Sequence, residues 1–183
     1  MTRSLFVFAL IFFIAFGAFA QSNTSGSGQT TGNYTYEGLL AMGHAKYVAK
    51  DFAGALTEYQ KAKSADPGRA DAYYFIGCTL KAEKRYQEAT SMLASAVTVA
   101  GVDNSVIHAK ALYVIALTWE TAGNIDKAKY AWSDYKSYAN SLPSQSAFVA
   151  IADARIIAME NWEAQKQKYQ IVKDRIAQST ESQ

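Results

Sequence analysis

Residues Gly43 to Pro67 read GHAKYVAKDFAGALTEYQKAKSADP and fit one pair of antiparallel helices joined by a tight turn. Ala55, Tyr59 and Ala62 recur at i, i+4 and i+7, the spacing of a single helical face. Asp51 is placed to cap the second helix, and Pro67, which has no amide hydrogen, is placed to end it. A shift of 34 residues carries Gly43, Ala55, Tyr59, Ala62 and Pro67 onto Gly77, Ala89, Leu93, Ala96 and Gly101. The same order of small and large residues at a fixed period marks an internal repeat. Gly43 is expected to let the second helix cross closely, with Ala55 as the small residue opposite it.

A third unit follows, with Leu112, Ile115, Ala116, Trp119, Gly123, Ala128 and Trp132 in the pattern and Tyr135 where the others have Ala. Five extra residues around Asn104 to His108 put its Ala128 39 residues after Ala89. The unit resembles the tetratricopeptide repeat, a helix-turn-helix with small residues at the helix crossings and Pro at its end. The resemblance covers Tyr36 to Leu142, with Lys46 and Leu80 standing where an aromatic is usual and Gly101 where Pro is usual. It implies an all-α superhelical array of three hairpins, at 36–69, 70–103 and 109–142. A long helix at 143–178 would cap the array, and 179–183 would be a disordered tail. An ordinary helical bundle would need no 34-residue recurrence.

The flanking segments speak to location. Arg3 precedes an uncharged apolar run from Leu5 to Phe16, and Ala18-Phe19-Ala20 offers small residues for cleavage after Ala20. Residues 1–20 are therefore expected to be a signal peptide and the protein to be exported, periplasmic or secreted. The run is shorter than the ~20 apolar residues of a bilayer span; the alternative is an uncleaved helix that tethers the protein to a membrane. Residues 21–35, rich in Ser, Thr and Gly and free of charge, are expected to be a flexible linker. In the C-terminal segment Phe148, Ile151, Ala152, Ile156 and Met159 form an apolar stripe suited to cover the last hairpin. Trp162, Tyr169, Val172 and Ile176 continue it more sparsely, and through them the chain could pair with a second copy.

Composition narrows the chemistry. Eighteen Lys and Arg against 16 Asp and Glu leave a net charge of +2 with no long run of one sign, so no nucleic-acid footprint is expected. Two histidines and one cysteine in 183 residues give no metal-ligand spacing, and neither a phosphate loop nor a nucleophile elbow is present. No catalytic residue, metal or cofactor is expected, and the chain is read as a non-enzyme.

By the resemblance, the first helix of each hairpin lines the inner surface of the superhelix. Carried over by register, the lining residues are Leu40, His44 and Tyr47, then Tyr74, Phe75, Cys78 and Lys81, then Lys110, Tyr113, Val114 and Leu117. Family members that hold the acidic tails of cytosolic chaperones carry a clamp of Lys, Asn and Arg there. Here the corresponding residues are Leu40, His44, Phe75, Lys110 and Val114, and only Lys110 matches. The resemblance thus implies a noncatalytic scaffold or adaptor whose apolar, aromatic groove takes a peptide or helix of a partner, in an envelope or secretion complex. A self-associating subunit and a groove filled by the chain's own C-terminal helix are the competing readings.

Overall fold

The computed structural model of the chain describes residues 34–142 and 146–181. Among the described residues there are seven α-helices and no strand. They are α1 (Tyr36–Val48), α2 (Phe52–Ala65), α3 (Ala70–Ala82), α4 (Tyr86–Ala100), α5 (Ser105–Thr121), α6 (Ile125–Asn140) and α7 (Ser146–Glu181). The signal peptide and nearly all of the linker expected from the sequence lie outside the described residues. At the other end α7 runs through Glu181, beyond the Gln178 at which a disordered tail was expected. No helix among the described residues is long and apolar enough to cross a membrane.

Each hairpin turns on the same device. Lys50, Lys84 and Gly123 adopt positive φ of 62°, 63° and 74°, just past the ends of α1, α3 and α5. Around them the amides of Asp51, Arg85 and Asn124 return to the carbonyls of Lys46, Leu80 and Trp119, at 2.9, 2.9 and 3.0 Å. The amides of Lys50, Lys84 and Gly123 themselves reach Tyr47, Lys81 and Glu120. This is the paired hydrogen-bond pattern that closes a helix through a left-handed residue. The following helix is then capped by Asp51, which accepts from the Gly54 amide at 2.9 Å, or by Asn124, which accepts from Lys127 at 3.1 Å. Arg85 offers no cap and instead pairs with Glu88 of the first turn.

Within each hairpin one large residue of the second helix plugs against one small residue of the first. Tyr59 lies on Gly43, where an added Cβ would collide with its ring. Leu93 lies on Gly77, where a Cβ would stand 2.5 Å from Leu93 Cγ and 3.1 Å from the Ala89 carbonyl oxygen. The third hairpin places the fully buried Trp132 at the matching position, with Ala116 in place of glycine. The atoms nearest Gly43 belong to Tyr59. Ala55 is buried one helical turn away in the same core cluster. The five extra residues of the third unit are absorbed without a loop: α5 has 17 residues against 13 in α3, and α4 has 15 against 14 in α2.

Successive hairpins are tied by polar contacts at their seams. The Ala72 amide at the start of α3 donates to the Tyr36 hydroxyl at 3.1 Å, a cap supplied from α1 because Arg69 gives α3 none of its own. Arg69 instead lies over the Tyr36 ring at 3.9 Å and pairs with Glu37. Within the first hairpin, Lys46 replaces the usual aromatic, and its ammonium reaches Glu58 at 3.2 Å, while Lys61 reaches the same carboxylate at 3.1 Å. Burial pushes the Glu58 carboxyl up, but the hydrogen bonds from Lys61 and Lys46 outweigh it and hold it below the usual range. The first part of α7 then packs on α6 through Ala152 and Met159. Lys136–Asp153 and Lys129–Glu163, each 2.6 Å, and Arg155–Glu120, 3.0 Å, pin its flanks.

Candidate functional site

The inner face gathers side chains from α1, α2 and α3 into one aromatic cluster. Because Gly43 has no side chain, the Tyr59 ring passes over it, and its hydroxyl meets Nδ1 of His44 at 2.6 Å. Phe75 of α3 stands edge-on to His44 at 4.3 Å between ring centres and stacks on Tyr59 at 5.5 Å. Tyr74 adjoins Phe75 at 5.2 Å, and Tyr47, at the open end, leans on Phe52. The sequence assigned no role of this kind to Tyr59, since it belongs to a second helix. A glycine one turn of the hairpin away from a large aromatic is the signal that such a ring can reach the other side.

A second cluster lies on α5. Tyr113 meets Trp132 and Tyr135 of α6 edge-on at 5.3 and 5.4 Å. Val114 packs in the cluster that holds Tyr74 and Leu93, and so joins the two halves of the face. The structure thus brings His44, Tyr47, Tyr74, Phe75 and Cys78 together around Tyr59, with Val114 and Tyr113 next in line and Lys110 exposed beside them. Leu40 departs from expectation. It is buried with Tyr36, Leu39 and Ala55 in a core cluster that also takes in Ala72 and Ile76 of α3, whereas His44, one turn on, stays half-buried. Leu117, half-buried like Tyr113, packs against the cluster formed by α5, α6 and α7.

The side chains of the aromatic cluster are held uncharged, with Lys81 close to Cys78 and Lys110 at the edge as the nearest cations. Burial pushes the Cys78 thiol up to about 11, against the smaller opposing pulls of Tyr74 and Lys81, so it carries its proton at neutral pH and lacks the thiolate that makes cysteine reactive. Burial, reinforced by the neighbouring Cys78, also raises the hydroxyls of Tyr74, Tyr59 and Tyr47. Burial lowers the His44 imidazole, only partly opposed by Asp71, and favours its neutral form. No group of three or more His, Cys, Asp or Glu among the described residues is disposed to hold a metal ion. Neutral rings and protonated hydroxyls can take apolar anchors and donate to carbonyl oxygens; they supply neither a nucleophile nor an anion-binding charge.

Neither a protein-family model nor a curated protein matches the sequence. Solved structures do. PcrH in complex with the chaperone-binding region of PopD aligns with a TM-score of 0.59 at 20% identity, over 69% of this chain and 92% of that one. The Yersinia enterocolitica type III secretion translocator chaperone SycD gives 0.59 at 13% identity, over 71% of this chain and 86% of that one. The N-terminal domain of stress-induced protein-1 from C. elegans gives 0.55 at 22% identity, over 64% and 94%. The fold is a tetratricopeptide-like array. At such low identity these likenesses carry the fold and leave function to the side chains.

Proposed function

We propose that the protein is a noncatalytic adaptor that holds a segment of a partner protein along its aromatic inner face. The observation that carries the reading is the cluster of His44, Tyr47, Tyr74 and Phe75, backed by the buried Tyr59, which lies on one side of the array and which burial keeps free of charge. Aromatic side chains with a polar tip are the usual anchors of protein recognition. PcrH, whose fold is similar, has been captured with the chaperone-binding regions of PopD and of PopB, which supports a peptide segment as the occupant. Export and an envelope setting rest on the apolar run and the Ala18-Phe19-Ala20 site. N-terminal sequencing of the native protein tests that part, with Gln21 as the expected first residue. Self-association through the far part of α7 is the second reading, and the charges beside its apolar seam weigh against it.

Selection of displayed random peptides on the full chain tests the groove. Enriched peptides are expected to carry spaced apolar anchors and to lose binding in Tyr47→Glu and Tyr74→Ala, while circular dichroism shows both variants folded. Peptides that bind those variants as well as the wild type would move the site elsewhere.

A further inference from the structure

The cap formed by α7 ends at Glu163, and from Ala164 to Ser179 every side chain of the helix is exposed. Along this projecting part Trp162, Tyr169 and Ile176 recur every seven residues, and Val172 stands three after Tyr169. Trp162, Tyr169 and Val172 are 62%, 70% and 53% exposed. That is the seam spacing of a coiled coil, and it is narrow, because Gln165 and Ser179 occupy the alternate seam positions.

The positions that flank such a seam decide its partner. Lys166 and Lys173 lie on one side, four residues after Trp162 and Tyr169, and Lys168 and Arg175 lie on the other, one before Tyr169 and Ile176. None of these four cations is in an ion pair among the described residues. The nearby acids are committed elsewhere: Glu163 to Lys129 at 2.6 Å, and Asp174, on the far side of the helix, to the Gln170 amide at 2.7 Å. Two copies paired in either orientation would set Lys and Arg against Lys and Arg. We propose that residues 162–175 dock an acidic amphipathic helix of a partner protein, forming an interaction surface separate from the groove. A membrane surface also attracts cations beside apolar residues, but a helix lying in it buries a broad apolar face, which this seam lacks.

The probe is a synthetic heptad peptide with Leu along its seam and Glu at both flanking positions, compared with a counterpart carrying Lys there. Fluorescence anisotropy with the full chain is expected to show one Glu-flanked peptide bound per chain, with binding that weakens steeply as salt is added. In K166E/K168E/K173E/R175E that binding should fall at least about tenfold and the Lys-flanked peptide should bind instead. Unchanged helicity and urea midpoint would show the array intact. Equal binding of both peptides, or of neither, overturns the proposal. So does a dimer of the chain alone in sedimentation that Tyr169→Glu disperses, or capture by phosphatidylglycerol vesicles without binding of the Glu-flanked peptide.

Discussion

The first two hairpins and the third solve one packing problem with different pieces. In the first two, glycine accepts the plug, and the plug is Tyr59 or Leu93. In the third, Ala116 faces Trp132, and Tyr113, Tyr135 and α7 gather around the indole. A hairpin closed on glycine depends on close backbone approach, whereas one closed on a large ring depends on what surrounds the ring. The third unit therefore needs its cap in a way the first two do not. The Trp132 Nε1–H donates to Glu120 at 3.1 Å, and the other oxygen of that carboxylate holds Arg155 of α7.

The contrast can be broken by experiment, and the largest effect belongs to the indole. Trp132→Ala should cost about 4 kcal/mol in urea unfolding. If it costs less than Leu93→Ala, the third hairpin does not lean on its ring and the contrast fails. Gly77→Ala should cost about 2 kcal/mol, since the new methyl meets both a buried Leu93 and backbone oxygen; Ala116→Gly should show no comparable strain in the reverse direction.

The pH dependence sharpens the difference at the first hairpin. The folded state holds His44 below its ordinary value of 6.5, so the unfolded chain binds its proton first as pH falls. The stabilisation is complete above that value and is lost as pH drops through it toward the lower folded value. The urea midpoint should fall across that window in the wild type and less so in His44→Gln, where Tyr59 keeps a neutral partner. At the turns the effect is smallest: Lys84→Gly should add about 0.5 kcal/mol by removing a left-handed lysine, and Gly123→Lys should subtract a similar amount.

Much of the array is legible in the sequence because its logic is local. Small residues at 43, 55, 77 and 89 obey a period, and a period needs no knowledge of distant contacts. The candidate site is less so. That Tyr59 crosses over Gly43 to bond His44 depends on the angle between two helices, and no spacing along the chain encodes that angle. Leu40 and His44 are one turn apart, yet one is core and the other lines the face, a difference set by where α2 and α3 lie. Lys46 breaks the aromatic pattern of the repeat, yet its ammonium serves Glu58 across the hairpin, and charge replaces the ring. The cations around the far seam of α7, by contrast, stand in the sequence at full strength, since an exposed helix obeys only its own periodicity.

Glu120 has a further consequence. One of its oxygens meets α6 and the other α7, so neither helix can be removed without disturbing the anchor of the other. Contacts that share a partner do not add. The end of this array should therefore unfold as one cooperative block, in which loss of either helix also releases the contact held by the other.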